Sequence, residues 1–175
     1  MLRNLTLASV TVSLPAPTAE SRAVVTGASS GIGEALATEL AARGHSLIVV
    51  ARRGELLEAL AAKLAAEHGV TVEVRVNDLS DPVQRQTLAD ELAGRDISVL
   101  CNNAGIATFG PVSALDPAYE RAQVQLNAVA VHDLTLAVLS GMIERGAGGI
   151  LVTGSAAGNM AIPNNATYAA TKAFV

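Results

Sequence analysis

Five short apolar runs, separated by amphipathic helical stretches, constrain this chain more than any other feature. The runs are "RAVVTG", "SLIVVAR", "VTVEVRV", "ISVLCN" and "GGILVTG". Between the first two lies "GIGEALATELAARG", a helix that Gly44 would end. "GELLEALAAKLAAEHG" follows the second run, with leucines at 56, 57, 60 and 64 and a stop at Gly69. "DPVQRQTLADELAG" follows the third, with Asp81 as a cap and Pro82 in the first turn. Pro117 opens a long helix expected to run to about Arg145, and a last helix starts near Ala166. Strict alternation of apolar strands and helices predicts an α/β fold with a parallel sheet covered on both faces. Right-handed crossovers then make it Rossmann-like and doubly wound. One domain is expected over residues 21–175, after an N-terminal extension at 1–20.

Composition agrees with buried strands. Hydrophobic residues are 50% of the chain but aromatics only 2%, so Ala, Val, Leu and Ile must build the core. The net charge of −4 and the lack of a basic tract argue against a nucleic-acid partner. Cys101 is the one cysteine, which excludes an internal disulfide and fits a reducing, cytoplasmic setting. No membrane span is expected; the uncharged run from Gly146 to Thr171 is broken by Gly, Asn and Pro. Arg3 followed by the apolar stretch Leu5 to Leu14 resembles a signal peptide, and a frayed extension is the plainer reading. His45, His68 and His132 lack metal-ligand spacing, so no metal is expected.

The first strand-to-helix turn, "TGASSGIG", places glycines at 27, 31 and 33. Glycines there permit a sharp turn and let a pyrophosphate approach the backbone amides, while the helix dipole favours the anion. Gly27, Ser29, Ser30, Gly31, Ile32 and Gly33 are therefore candidate cofactor residues; the plainer alternative is close helix–strand packing. The second strand ends in "ARR", where NAD-binding sheets usually place an acid. Arg52 and Arg53 would bind a 2′-phosphate that a carboxylate repels, which favours NADP (as NADPH) over NAD. Two solvated loop arginines remain the alternative. Asp78, beside Leu79 in "NDLSD", would accept from an adenine amino group or cap a turn.

"CNNAG" at 101–105, Ser155, and Tyr168 with Lys172 in "YAATK" complete a pattern. Together with "TGASSGIG" it resembles the short-chain dehydrogenase/reductase family over residues 22 to 175. "GSAAGNMAIPNNATYAATKAF" and "ARR" further resemble NADP-dependent reductases of acyl chains, including actinobacterial ketoreductases of mycolic acid synthesis. The resemblance implies strand order 3-2-1-4-5. It also implies a catalytic set of Asn127, Ser155, Tyr168 and Lys172, and a homodimer or tetramer. Asn103, Ala104 and Gly105 would lie beside the cofactor, which Tyr168 and Lys172 would also touch.

The chemistry those residues permit is hydride transfer between a nicotinamide and a carbonyl or alcohol substrate, most simply reduction of a ketone or 3-oxoacyl group. Tyr168 would donate the proton; its ordinary pKa of about 10 is too high unless Lys172, one turn on, lowers it. Ser155 would hydrogen-bond the substrate oxygen, and Asn127 would hold a water leading to Lys172. Taken singly, each residue has a plain reading as helix decoration or a loop hydroxyl. The family pattern continues past Lys172 with further strands and a substrate loop. The chain is therefore expected to be an incomplete copy, with an exposed fifth strand and either reduced activity or cofactor binding alone.

Overall fold

The apolar runs pair side by side in a computed structural model that describes residues 14–175. They are β1 (Arg22–Thr26), β2 (Leu47–Ala51), β3 (Val72–Val76), β4 (Ile97–Asn102) and β5 (Gly149–Val152). All are parallel, in the expected order β3-β2-β1-β4-β5. The helices are α1 (Gly31–Ala42), α2 (Gly54–His68), α3 (Pro82–Ala93), α4 (Pro117–Val124), α5 (Ala130–Arg145) and α6 (Ala166–Phe174). Side chains alternate across each strand, so the sheet feeds two cores. Val24, Ile48 and Leu100 meet Leu88 and Leu92 of α3 and Leu134 and Val138 of α5. Val25, Val49 and Val99 meet Leu40 of α1 and Leu57, Leu60 and Leu64 of α2. Each fully buried leucine contributes about 2 kcal/mol.

Local signals set the helix ends. Asp81 accepts hydrogen bonds from the Val83 and Gln84 amides, so Pro82 sits where its missing N–H costs nothing. Gly69 ends α2 at φ 68, the left-handed region that glycine enters without strain. The expected long helical stretch runs from Pro117 to Arg145. The helix from Pro117 is not uniform, because residues Gln125–Val129 widen into a π-helical turn between α4 and α5. The wider turn takes in an extra residue, so Asn127 faces the loop after β4 while Leu126, Ala130 and Leu134 stay in the core. By length and composition Pro117–Arg145 could cross a membrane; here its apolar stripe, including Leu134, Val138 and Met142, packs into the core beside α3.

The two sheet edges differ. On β3, Glu73 and Arg75 pair with Ile48 and Val50 and carry charge where the inner strand β2 carries apolar side chains. Glu73 accepts from Arg22 Nε (3.0 Å), Arg75 Nη2 (2.9 Å) and both terminal nitrogens of Arg95 (2.6 and 2.7 Å). Inward charges of this kind discourage a second chain from pairing with the edge. The hydrogen bond from Arg95, followed by that from Arg22, lowers the Glu73 pKa to about 2. Its folded pKa lies below the unfolded value, so its stabilisation is complete above about pH 4.5 and lost as pH falls toward 2. Glu73→Gln should cost on the order of 2 kcal/mol at pH 7 and almost nothing at pH 2, read by urea unfolding at both pH values. An equal cost at both would remove the ion pairs as the cause.

On β5, an edge strand among the described residues, Ile150 and Leu151 are 38% and 42% exposed. Leu14 and Pro15 lie near Gly149. Residues 14–20 form neither helix nor strand, and Thr18 and Ser21 exchange hydrogen bonds just before β1. The signal-peptide reading falls almost wholly outside the described residues.

Candidate active site

All five strands run the same way, so their C-terminal ends share one rim, and the loops leaving that rim build the site. One groove there is lined by Gly27, Ser29 and Ser30 after β1, Arg52 and Arg53 after β2, Asp78 and Leu79 after β3, and Asn103, Ala104 and Gly105 after β4. Gly33 and Gly31 serve it differently. A Cβ on Gly33 would lie 2.2 Å from the Gly27 carbonyl oxygen, so its missing side chain lets α1 abut the turn. Gly31 has φ +60 and nothing within 4 Å of its Cβ position, so its backbone faces open space at the helix N-terminus. Space beside free amides is what a phosphate needs. Gly31, Ile32 and Gly33 all sit at the start of α1 beside the groove rather than among its lining residues, with Ile32 61% exposed.

The arginines and Asp78 are not idle. Arg53 donates to Ser29 Oγ (3.1 and 2.9 Å) and Ser30 Oγ (2.5 Å), which holds its guanidinium across the turn. Arg52 lies 3.9 Å from the Asp78 carboxylate and is mostly exposed. Asp78 also accepts from the Ser80 amide and hydroxyl, so it closes a turn while lining the groove. The turn reading is thus seen in the structure, and its place in the groove leaves the carboxylate near where an adenine would lie.

Thr26, which the sequence reading passed over, ties β1 to the loop after β4. Its Oγ1 accepts from the Asn103 and Ala104 amides and donates to the Cys101 carbonyl. Asn103 Nδ2 donates to the Thr26 carbonyl, and its Oδ1 accepts from Thr153 Oγ1. Burial pushes the Cys101 thiol up to about 11, which keeps it an inert core side chain.

The second group lies beyond the groove, on α6, the π turn and the loop after β5. Lys172 Nζ donates to the Thr153 carbonyl at 2.7 Å and stands 5.9 Å from the centre of the Tyr168 ring. Partial burial lowers its pKa below the ordinary lysine value. Gly105 joins the two groups: a Cβ there would lie 3.2 Å from Asn127 Oδ1 and 3.8 Å from Lys172 Nζ. Asn127 is fully buried. Its Oδ1 accepts from the Ile106 amide, and its Nδ2 donates to the Ile106 carbonyl and Thr171 Oγ1. Ser155 Oγ accepts from the Ala157 amide, which leaves its proton to donate elsewhere. The short turn after Ser155 packs on α6 because Gly158 has no side chain; a Cβ there would lie 2.5 Å from the Lys172 carbonyl.

Asn165 was also missed. It begins α6 without capping it, and its Nδ2 donates to the Thr108 carbonyl at 2.6 Å. Gly110 N–H donates to the Asn164 carbonyl beside it. These bonds fix the loop 106–110 to the start of the Tyr168 helix. No pattern in the sequence announces them, because their partners lie more than fifty residues away.

A parallel sheet with a glycine-lined groove at its C-terminal rim, and a Tyr–Lys helix beside it, defines a dinucleotide-binding α/β protein. The chain belongs to the short chain dehydrogenase family, whose sequence profile matches residues 21–175. It is 39% identical over 162 residues to a very-long-chain 3-oxoacyl-CoA reductase of Anas platyrhynchos, covering 87% of this chain and 51% of that one. It is 40% identical over 156 residues to sulfoacetaldehyde reductase 2 of Chromohalobacter salexigens, covering 87% and 61%. Among solved structures, a short-chain dehydrogenase from Sphingobium yanoikuyae in complex with NADPH superposes with TM-score 0.85 at 38% identity, covering 89% and 61%. The chain spans about half the length of the curated 3-oxoacyl-CoA reductases it matches.

Proposed function

We propose that the protein is an NADP-dependent reductase of a ketone or 3-oxoacyl group on an apolar substrate. The observation that carries this is one continuous site. A groove with two arginines and no acid at the end of β2 leads, past Gly105, to a lysine fixed beside a tyrosine. The cofactor supplies the hydride when bound. The glycine turn leaves room for its phosphates, and Arg53, already aimed across that turn by two serines, is suited to the 2′-phosphate. Tyr168 gives the carbonyl oxygen its proton, Ser155 donates to that oxygen, and the ammonium of Lys172 favours the phenolate left behind. Both side-chain hydrogens of Asn127 are spent on Ile106 and Thr171, so the side chain donates no further hydrogen bond to the expected water.

The NADPH held by the Sphingobium relative and the 3-oxoacyl-CoA named for the Anas relative support this reading. Exposed Phe109, Val112 and Met160, on the loops after β4 and β5, supply apolar surface that suits an acyl chain. Exposed Val124 and Phe174, with Ala166 and Ala170, suit a homodimer or tetramer formed through α4 and α6. Cytoplasmic placement belongs to the same reading; a single buried cysteine fits a reducing compartment.

Titration with NADPH and NADH, followed by nicotinamide fluorescence, tests the proposal. NADPH should bind more tightly. Arg53→Glu should weaken NADPH about a hundredfold, with a carboxylate facing the 2′-phosphate, and change NADH only a few-fold. Equal binding of the two by the parent chain would overturn the NADP assignment. An unchanged NADPH affinity in the variant would remove Arg53 from it.

A further inference from the structure

Arg85 is 6% exposed, yet no catalytic or binding role found above uses it. It lies on α3, one turn from the helix start. Its Nε donates to Asp133 Oδ2 of α5 at 2.8 Å, Nη1 to the Leu79 carbonyl at 3.0 Å, and Nη2 to Gln125 Oε1 at 2.9 Å. One guanidinium thus joins α5, the loop after β3 and the π turn. Leu79 and Leu126, the neighbour of Gln125, form the floor of the cofactor groove together with Ile106. Asn127, on the same π turn, holds Ile106 by both its amide and its carbonyl. The floor is therefore held by two polar anchors: Asn127 of the π turn, which bonds the loop after β4, and Arg85 of α3, which bonds the loop after β3.

Stability alone does not account for this arginine. Burying an ion pair carries a desolvation cost that often cancels its attraction, and apolar residues of like volume stabilise as well. A guanidinium has something they lack, a rigid fork that serves three acceptors in different directions. We propose that Arg85 is a positioning residue that sets the floor of the dinucleotide groove, and that its loss weakens NADPH and NADH by the same factor. This rests on the proposed function in that the groove is taken to hold a nicotinamide dinucleotide.

Two variants of the full chain separate positioning from simple ion pairing. Arg85→Lys keeps a cation for Asp133 but loses the fork to Leu79 and Gln125. Asp133→Asn removes the ion pair but leaves the fork. Fluorescence titration should show Arg85→Lys binding both dinucleotides about tenfold more weakly, their ratio unchanged. Asp133→Asn should bind within about twofold of the parent. Without cofactor, amide exchange at Leu79, Ser80 and Leu126 should speed up in Arg85→Lys and stay at the parent rate in Asp133→Asn. The reverse ranking, or parental affinity and exchange in Arg85→Lys, would overturn the proposal. If the parent binds neither dinucleotide, the reading of the groove fails by itself. The exchange comparison then decides for or against Arg85.

Discussion

Tyr168→Phe should bind NADPH as the parent does and reduce a ketone about a thousandfold more slowly. The substitution removes one oxygen and leaves the ring that packs near Lys172. Lys172 keeps its bond to the Thr153 carbonyl, and the cofactor groove draws none of its lining from Tyr168. Binding and the proton step are thus separable. The electrostatics point the same way. Burial lowers the Lys172 pKa, so the folded chain bears a cost for the ammonium at neutral pH. Because the folded value lies below the unfolded one, that cost eases as pH rises through the folded pKa toward the unfolded lysine value. A cation kept at a cost, 5.9 Å from a phenol ring, fits a group that favours the phenolate. Single-turnover oxidation of NADPH, run beside the fluorescence titration, reads both quantities. Tyr119→Phe is the control, since Tyr119 lies on α4 and is 45% exposed. A rate within a few-fold of the parent would remove Tyr168 from the acid role.

Gly33→Ala should abolish measurable binding of either dinucleotide, a loss of at least about a hundredfold. The reason is contact, not conformation. The added methyl would sit 2.2 Å from the Gly27 oxygen and 2.6 Å from Asn103 Nδ2, and neither can retreat freely. Gly27 is held by the hydrogen bond that its N–H donates to the Val50 carbonyl, and Asn103 by its hydrogen bonds with Thr26 and Thr153. Helix α1 must therefore back away from the turn and carry its N-terminal amides away from the phosphates; overpacking of this kind also costs roughly 1–3 kcal/mol of stability. Gly31→Ala is the informative contrast. Its Cβ meets nothing, so the cost is the left-handed backbone alone, about 1 kcal/mol. Far-UV circular dichroism of both variants checks that they remain folded. Parental NADPH affinity in Gly33→Ala would show that α1 does not need its close approach to the turn.

Much of the fold was legible because its causes are local. Apolar runs of strand length, Asp81 before Pro82 and the glycine after His68 each act within a few residues. The strand order was legible only through the family resemblance, since no local signal says that β1 lies between β2 and β4. The candidate site was legible as a set of residue types at a spacing. Its geometry was not, because the bonds that make it join distant parts of the chain. Thr26 meets Asn103 and Ala104 across 77 and 78 residues, and Arg85 meets Asp133 across 48. The π turn was illegible for another reason. "VQLNAVA" has the composition of an ordinary helix, and only the pull of Ile106 and Thr171 on Asn127 distinguishes it.

The sequence by itself determined a parallel α/β sheet, a glycine turn between its first strand and helix, a pair of arginines in place of an acid, and a tyrosine one helical turn before a lysine. These follow from periodicity, backbone freedom and charge, which belong to short segments. The tertiary structure decided that Arg53 rather than Arg52 is held across the glycine turn, and that Asn127 spends its side chain on a loop. It also decided that a buried arginine on α3 meets Asp133, Leu79 and Gln125. Those outcomes depend on which donors and acceptors meet once the helices dock, because a buried polar group must find a partner wherever the fold brings one.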